Sequence, residues 1–576
     1  MLMGLMVVSA VAELVSLGAV LPFLSVLVAP ERLFDRPFIA DLAGRWGIAS
    51  ADQLVLPLTI LFATAAVCAG VIRMLLLWLN TRVAFASGAD LSIEVYRRTL
   101  YQPYRVHVAR NSSEVISGIT IKVAGTVNVL YQLIVLVSSV GLLVILTLAL
   151  LAVDAGVALT AIAAFGSGYG LVTWISGRRL HQNSKRIAFE QTQVIKALQE
   201  GLGGIRDVLL DGTQPVYCEI YRRSDHPLRI AQGDNAFITQ SPRYAMEALG
   251  MVLIAALAYS LSNKPGGVAT ALPVLGALAL GAQRLLPALQ QSYGAWADII
   301  SRHASLADTV DLLDQPLPVE LSLSDPEPLP FRHAICFDAV RFRYAPGGAW
   351  VLDGIELVIA KGARVGFVGV TGSGKSTAMD LLMGLLTATE GQLLVDGQAV
   401  GSGRRLRAWQ RTIAHVPQNI YLADTSVAEN IAFGVPTELI DMERVRMAAR
   451  QAQIADFIEK LPKGYDAFVG ERGIRLSGGQ RQRIGIARAL YKQASILVFD
   501  EATSALDNAT EEAVMDAIGR FKRDLTILLI AHRLTTVRHC DTIVEFSEGK
   551  VVAQGTYDEL LATSPSFRNM ARAVVV

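Results

Sequence analysis

The sequence predicts two domains of different class, an α-helical transmembrane domain followed by an α/β domain. Three observations support this division. Residues 1–313 contain six long apolar stretches, residues 314–330 are rich in proline, and residues 331–576 alternate short β-rich runs with helical ones. A chain of 576 residues is also too long for a single hydrophobic core. We therefore expect a membrane domain, a linker and a second domain.

The overall composition averages two unlike halves. Hydrophobic residues make up 52% of the chain and charged residues 18%, and the mean hydropathy is +0.41. A net charge of +1 gives no reason to expect nucleic-acid binding. The four cysteines are widely separated and lack metal-type spacing, so we expect packing residues and no disulfide framework. They are Cys68, Cys218, Cys336 and Cys540.

Each apolar stretch of the first domain is long enough to form a transmembrane helix, which needs about 20 residues. The stretches lie near 2–28, 54–79, 131–153, 156–176, 245–263 and 270–290. The first lacks a basic segment and is too long for a signal peptide, so a membrane span is the better interpretation. Residues 31–46 could form a short amphipathic helix at the outer surface or an ordinary polar connection.

The distribution of Lys and Arg predicts the orientation of these spans. The segments 80–130 and 177–244 carry six and ten basic residues, whereas the turns after the third and fifth spans carry almost none. Both segments, and both termini, are therefore predicted to be cytoplasmic. Their helical periodicity indicates that the membrane helices continue far into the cytoplasm and turn back.

The second domain contains a phosphate-binding motif. Residues 369–376, "GVTGSGKS", follow a predicted strand, begin a predicted helix and fit the pattern G-x-x-x-x-G-K-[ST]. Its glycines would let backbone N–H groups surround phosphates, Lys375 would reach the β and γ phosphates, and Ser376 would bind Mg²⁺. The residues predicted to contact the nucleotide here are Gly369, Thr371, Gly372, Ser373, Gly374, Lys375, Ser376 and Thr377.

A second apolar strand, in "SILVFDEATSALD", ends in two acids. Asp500 is placed to hold Mg²⁺, and Glu501 is placed to polarise the attacking water. Adjacent acids after a strand are also common in solvated loops. The phosphate-binding motif in the same domain favours the catalytic interpretation.

The stretch "RLSGGQRQRIGIARAL" predicts a second anion-binding helix N-terminus at Ser477, Gly478 and Gly479. One ATP does not need two such sites from a single chain. The simplest explanation is a two-fold dimer in which the second site of each chain closes on the ATP of its partner.

Together "LSGGQ" (476–480), the phosphate-binding loop and "ILVFDEATSALD" resemble the ATPase domain of ABC transporters, over residues 331–576. The resemblance implies that Tyr344 stacks on adenine and that Gln418 contacts Mg²⁺ and communicates with the membrane domain. It also implies roles at the nucleotide for Gln480 of the signature, Asp507 of the D-loop and His532 at the γ-phosphate.

Six spans followed by one ATPase resemble an ABC exporter half, and that architecture needs two copies of each domain. The resemblance implies a homodimer in a bacterial inner membrane, with the ATPase in the cytoplasm and ATP and Mg²⁺ as ligands. It also implies coupling helices around 103–113 and near 210–216. ATP would close the ATPase dimer and open the membrane domain outward, and hydrolysis would reset it.

Three ionisable residues inside the spans are candidates for contact with the cargo, because such residues are costly in a membrane and usually face a cavity or a partner. They are Glu13, Arg73 and Arg284. Arg73 lies near the cytoplasmic end, where its side chain could extend to the interface. For Glu13 and Arg284, the alternative is a structural ion pair or an interhelical hydrogen bond. Our hypothesis is that Arg284 binds a phosphate group of the cargo, which suits a guanidinium.

Three stretches resemble PglK-type flippases of lipid-linked oligosaccharides: "AELVSLGAVLPFL", "ARNSSEVISGI" and "AQRLLPALQQ". This resemblance implies a lipid-linked oligosaccharide or a similar anionic polyprenyl lipid as cargo. A multidrug or general lipid exporter is the first alternative. An ATP-gated channel or regulatory membrane protein is the second, and an intact Glu501 argues against it.

Overall fold

The structure is a computed structural model that describes residues 2–19, 55–153, 155–262, 285–317, 326–500, 508–521, 525–531 and 534–573. The chain divides into two compact units. The first comprises Met1–Gln102 and Ala109–Pro316, and the second comprises Pro103–Val108 and Leu317–Val576. The division falls inside the predicted linker, and part of the first predicted coupling segment belongs to the second unit.

Long helices make up the first unit. From residue 2 to residue 313 the described helices are α1 (Leu2–Gly18), α2 (Val55–Leu100), α3 (Tyr104–Ala109), α4 (Ser112–Ser117), a π-helical turn (Gly118–Lys122), α5 (Val123–Val153), α6 (Ala155–Gly203), α7 (Ile205–Leu210), α8 (Gln214–Ser262), α9 (285–301) and α10 (His303–Leu313). Among the described residues, three helices are long and apolar enough to span a membrane, and Leu2–Ser16 is a shorter apolar helix. The predicted outer segment 31–46 and most of the sixth predicted span lie outside the described residues.

The expected extension of the membrane helices is confirmed. Helix α2 has 46 residues, and α6 and α8 have 49 each. At a rise of 1.5 Å per residue each is about 70 Å long, roughly twice the thickness of a bilayer core. Helices α2 and α6, which are among the three that are apolar enough to span a membrane, are therefore long enough to continue well beyond it.

The second predicted coupling helix differs from the structure. The short helix here is α7, which ends at Leu210, and α8 already begins at Gln214. Between them Gly212 has a φ of +63°, and the N–H of Thr213 donates to the carbonyl of Val208. A left-handed residue stops a helix, so 210–216 is a turn followed by the first residues of α8.

Close packing and polar contacts fix the relative levels of three helices in the first unit. A Cβ atom on Gly88 of α2 would lie 2.6 Å from Cγ2 of Val127 on α5, so only glycine permits this approach. The Nε2 of Gln132 on α5 donates to Oδ2 of Asp298 on α9 over 2.8 Å. These two contacts place α2 and α9 against α5 at known positions along its length.

The second unit contains two sheets. Its strands are β1 (Ala334–Phe342), β2 (Leu352–Ala360), β3 (Arg364–Val368), β4 (Glu390–Val395), β5 (Gln398–Ala399), β6 (Ile413–Val416), β7 (Ile496–Asp500), β8 (Thr526–Ile530), β9 (Thr542–Ser547) and β10 (Lys550–Gly555). One sheet has the order β2-β1-β4-β5 and is antiparallel. The other has the order β10-β9-β3-β8-β7-β6 and is parallel except for β10. The parallel strands are almost entirely buried, as their continuous apolar sequences predict.

Helices pack on these sheets around two buried apolar clusters. They are α11 (Lys375–Leu382), α12 (Gly403–Arg411), α13 (Val427–Ile431), α14 (Met442–Gln451), α15 (Ala455–Glu459), α16 (Gly478–Tyr491), α17 (Asn508–Phe521), α18 (Leu534–Val537), α19 (Tyr557–Thr563) and α20 (Pro565–Ala573). All four cysteines are free thiols, as expected. Only Cys540 is buried, and Cys68 and Cys218 are exposed in this chain, so the expectation that all four are packing residues is wrong.

Candidate functional sites

The predicted phosphate-binding loop connects β3 to α11. Its glycines at 369, 372 and 374 have φ values of +145°, +84° and +101°. A Cβ atom on Gly369 would lie 2.2 Å from the carbonyl oxygen of Phe546, so no other residue fits. Gly374 forms the N-cap of α11. The loop therefore delivers backbone N–H groups and a helix N-terminus to one concave surface, as an anion site requires.

Two side chains of this loop fit a phosphate ligand. The Nζ of Lys375 donates to the carbonyls of Gly369 and Val370 over 2.8 and 3.0 Å, which holds the ammonium inside the loop. Ser373 is 2% exposed, and its Oγ has no hydrogen-bond partner among the described residues. A buried hydroxyl in a ring of N–H donors is suited to an anionic oxygen acceptor.

Tyr344 lies beside the same loop. Its hydroxyl is 3.4 Å from Oγ1 of Thr377, and its ring packs edge-on against Phe342 with ring centroids 4.9 Å apart. Tyr344 as a whole is 52% exposed. The contact with adenine that the family resemblance implies remains a prediction.

The carboxyl end of β7 brings Asp500 close to α11. Burial raises the pKa of Asp380, on α11, to about 6, and the negative charge of Asp500 adds to this effect. The two acids therefore lie near each other behind the loop that carries Lys375 and Ser376. The sequence analysis missed Asp380, because a single acid on an amphipathic helix after the loop is an ordinary feature.

The signature sequence begins a helix, as predicted. Ser477 is the N-cap of α16, its Oγ accepts from the N–H of Gln480 over 3.2 Å, and its own N–H donates to Oε1 of Gln480 over 2.8 Å. Next to Gly478 a polar groove of about 430 Å³ also contains Gln418 and Arg472. The structure thus brings Gln418 and the start of the signature helix together within one unit.

Some of the other predicted nucleotide-site residues lie in the described part of the chain, and some lie outside it. Thr371, Ser376 and Gly478 are exposed at the loop and helix starts, and Gly479 lies in the first turn of α16. Glu501, Asp507 and His532 lie outside the described residues, so their roles remain predictions. Among the described residues, no group of three His, Cys, Asp or Glu side chains forms a metal site. The Mg²⁺ site predicted from Ser376, Gln418 and Asp500 would contain one hydroxyl, one amide and one carboxylate, so it is not a group of that type.

A phosphate-binding loop at the end of a parallel sheet, a buried acid beside it and a capped signature helix define a P-loop ATPase. This ATPase is joined in one chain to helices long enough to span a membrane. The chain belongs to the ABC transporter family. The family model described as "ABC transporter" matches residues 352–504.

Similar proteins extend this assignment to both units. An "ATP-dependent lipid A-core flippase" of Chromohalobacter salexigens is 32% identical over 528 residues, covering 90% of this chain and 88% of the relative. A "leukotoxin translocation ATP-binding protein" of Mannheimia glucosida is 42% identical over 272 residues, 47% of this chain and 37% of the relative. A solved structure of a bacterial Atm1-family ABC exporter with ATP bound has a TM-score of 0.81 at 26% identity, covering 99% of this chain and 98% of that one.

The protein is therefore a multi-pass ABC exporter with an ATPase that is coupled to transport. The names of these relatives include a lipid flippase and a protein named for toxin translocation. Family membership therefore does not identify the cargo. The residues that contact the cargo belong to the membrane domain.

The described part of the first unit contains a cavity of about 840 Å³ between α1, α2, α5 and α9. Its wall is mostly apolar, but polar side chains project into it from all four helices. These polar residues are Ser9, Glu13, Arg73, Asn80, Tyr131, Ser138, Ser139 and Gln291. A cavity with convergent polar groups inside an apolar helix bundle is a candidate cargo site.

Two of the three predicted cargo residues meet in this cavity. An Nη of Arg73 forms an ion pair with a carboxylate oxygen of Glu13. The Glu13 side chain is 3% exposed and that of Arg73 is 47% exposed. The guanidinium therefore contacts the neighbouring helix α1 while nearly half of the Arg73 side chain is exposed, so both its extension to the interface and its contact with the cargo remain predictions. Arg284 lies outside the described residues, so its role remains a prediction.

The sequence analysis missed the uncharged polar residues of the cavity. Asn80 is 5% exposed and Ser139 is 3% exposed. Oδ1 of Asn80 and Oγ of Ser139 have no hydrogen-bond partner among the described residues. Single Asn and Ser residues are frequent in membrane helices, so no local pattern distinguishes these two.

Proposed function

We propose that two copies of this chain form a homodimer that moves a lipid-linked oligosaccharide, or a similar anionic polyprenyl lipid, across the bacterial inner membrane. The observation that carries the proposal is the polar cavity with the Glu13–Arg73 ion pair inside an apolar bundle. Polar side chains are costly in this environment unless they serve a partner or a ligand. A lipid with a large polar headgroup needs such a route.

An apolar groove supports an amphipathic cargo. A pocket of about 310 Å³ lies between α5, α6 and α9, and its wall includes Leu143, Leu148, Phe165, Leu285 and Leu289. The polar cavity and the apolar pocket thus share two helices as their common wall. This arrangement suits a cargo with a polar headgroup and a hydrocarbon tail.

ATP would bind to the second unit, with its phosphates on the loop that holds Ser373 and Lys375 and its adenine on Tyr344. Ser376, Gln418 and Asp500 would hold Mg²⁺, which neutralises phosphate charge when it is bound. Glu501 would polarise the attacking water. In the homodimer the signature helix of each chain would close on the nucleotide of the other. ATP binding would favour the outward-open state, and hydrolysis would restore the inward-open one.

The test is flipping of a lipid-linked oligosaccharide in proteoliposomes that contain the purified protein. We expect ATP-dependent flipping by the wild type, none by Glu501→Gln, and a loss of flipping with basal ATPase retained for Arg284→Ala. Unimpaired flipping by Arg284→Ala would refute the proposal that Arg284 binds phosphate. No flipping by an ATPase-active wild type would refute the proposed cargo.

A phosphorylated glycolipid with acyl chains is a second candidate cargo. It is favoured by the name of the relative from Chromohalobacter salexigens, an ATP-dependent lipid A-core flippase. Stimulation of ATPase activity separates the two candidates. The proposed cargo requires stronger stimulation by the polyprenyl-linked sugar than by the acylated sugar phosphate, and the reverse order would establish the second candidate.

A further inference from the structure

The uncharged polar residues of the membrane cavity have not been assigned a role. We propose that Asn80, Ser139 and Gln291 form a hydrogen-bonding subsite for the hydroxyl groups of a glycan headgroup. The subsite lies on the cytoplasmic side of the Glu13–Arg73 pair. This inference rests on the proposed function, and it specifies which part of the cargo these residues recognise.

Asn80 and Ser139 are buried, and their side-chain oxygens lack the hydrogen bonds that neighbouring hydroxyls make. Ser138 also lines the cavity, but its hydroxyl donates to the carbonyl of Ile134 over 2.8 Å, and that of Thr81 donates to Leu77 over 2.9 Å. Such bonds to the preceding turn are the usual solution for a hydroxyl in a membrane helix. Ser139 has no bond of this kind. A buried hydroxyl or amide oxygen without a partner costs free energy, which a ligand can recover.

The three residues of the subsite lie at neighbouring levels along their helices. Arg73 and Asn80 are seven residues apart on α2, which places them on the same face about 10 Å apart. Because Gly88 packs on Val127 and the two helices run antiparallel, Asn80 lies level with residue 135 of α5. Ser139 therefore lies one turn farther outward, between the levels of Asn80 and Arg73.

Gln132 of α5 contacts Asp298 of α9, so these two residues lie at the same level. Seven residues farther outward, α5 reaches Ser139 and α9 reaches Gln291, so Ser139 and Gln291 also lie level with each other. Three uncharged polar side chains from three helices thus line the cavity within about 10 Å of its length, directly inward of the ion pair. A headgroup whose phosphate approaches Arg73 would present its sugar to them.

The side chains of the subsite are polar and uncharged. The described wall carries one acid and one base, which pair with each other, so it has no formal net charge. An amide oxygen, a hydroxyl and a second amide match the hydroxyl groups of a sugar, which both donate and accept. Tyr131 lies nearer the cytoplasmic end of the cavity and adds an aromatic surface. Next to the phosphate of the headgroup, these side chains favour a polyhydroxylated group over a second anionic group.

The test compares Asn80→Ala and Ser139→Ala with Thr81→Ala in the full-length protein in proteoliposomes. Thr81→Ala is the matched control, because Thr81 is adjacent to Asn80, does not line the cavity, and has a hydroxyl whose bond is internal to the helix. ATPase stimulation is titrated with two probe pairs. One pair is a polyprenyl pyrophosphate with and without a disaccharide, and the other is an acylated disaccharide phosphate and phosphatidic acid.

We expect Asn80→Ala and Ser139→Ala to raise the half-stimulating concentration of the glycosylated probe about tenfold, the effect of losing one good hydrogen bond to a ligand. The sugar-free probes should be unaffected, and Thr81→Ala should behave as wild type. Equal shifts for both members of a pair, or no shift, would overturn the subsite. If no lipid stimulates the wild type, the proposed function fails and the subsite fails with it.

Thermal unfolding supplies a second readout. If the hydroxyl of Ser139 has no partner in the cargo-free protein, Ser139→Ala should match or exceed the wild-type Tm while it weakens the response to the glycan. A lower Tm, or loss of the dimer in gel filtration, would show instead that Ser139 serves a structural contact. That result would overturn the subsite. If Asn80→Ala does not fold, Ser139→Ala alone decides between these outcomes.

Discussion

Arg488 on the signature helix offers a quantitative test of how the ATPase unit is held together. Its Nε donates to the carbonyl of Asn430 over 2.9 Å, one Nη donates to the carbonyl of Tyr421 over 3.0 Å, and the other to Oδ1 of Asn430 over 3.3 Å. Its guanidinium also lies 4.4 Å from the ring centre of Phe433. Arg488 thus connects α16 to the segment that follows Gln418.

The expected cost of removing this side chain is a balance of two effects. Burial lowers the pKa of Arg488 to about 10, which corresponds to a cost of about 3 kcal/mol for keeping the charge inside the protein. Three hydrogen bonds from a charged donor contribute about 5 kcal/mol together, and the ring contact adds about 1 kcal/mol. We therefore expect Arg488→Ala to lower the free energy of unfolding by about 3 kcal/mol.

The assay is thermal unfolding of the purified full-length protein, together with ATPase activity. For a domain of this size, we expect a fall in Tm of about 6–10 °C. Arg488→Lys should lose most of the same stability, because one ammonium cannot reach all three acceptors. ATPase activity should also fall, because Tyr421 lies three residues after Gln418.

Arg483 on the same helix is the matched control. Its described hydrogen bond is a single one, from Nη1 to the carbonyl of Gln453 over 2.7 Å. At the value per hydrogen bond used for Arg488, Arg483→Ala should cost about 1.5 kcal/mol, half the cost expected for Arg488→Ala. The reasoning is refuted if the two alanine variants lose equal stability, or if Arg488→Ala unfolds within 2 °C of the wild type, a margin of about 1 kcal/mol or less.

Three further predictions concern catalysis, the ion pair and pH. Asp500→Asn should abolish ATP hydrolysis, measured as phosphate release. Glu501→Gln should also abolish hydrolysis but retain ATP binding, measured in a nucleotide-binding assay. Persistent hydrolysis by Glu501→Gln would show that Glu501 is not the base. In a double-mutant cycle, Glu13→Gln and Arg73→Gln should each impair flipping, and the double variant should be less impaired than the sum of the two single effects. Additive effects would show that the two residues are not coupled. Burial lowers the pKa of His415, so the folded protein favours the neutral imidazole. The stability that depends on this neutral form is fully present above the ordinary pKa of about 6.5, and it is lost as the pH falls below that value. The Tm of the wild type should thus fall more than that of His415→Gln between pH 7.5 and 5.5, and parallel curves would contradict this.

Much of the nucleotide site could be predicted because its residues are contiguous in the sequence. The loop at 369–376 carries its own strand, glycines and helix, and the φ values of Gly369 and Gly374 are those the motif demands. Ser477 caps its helix through Gln480, three residues away. Local chemistry of this kind requires no knowledge of the tertiary fold. Asp380 was missed because only the arrangement of β7 beside α11 brings it near Asp500.

The sequence by itself determined the class of the protein, an exporter with a membrane domain and an ATPase, because apolar length and contiguous motifs are local properties. The tertiary structure decided the partners inside the membrane domain. Glu13 and Arg73 are 60 residues apart, and Asn80 shares its cavity with Gln291, more than 200 residues away. Side chains on different helices meet only through helix packing, such as the close approach of Gly88 to Val127. The pattern of a single helix carries no information about which neighbour it faces, so the cavity became visible only in the folded chain.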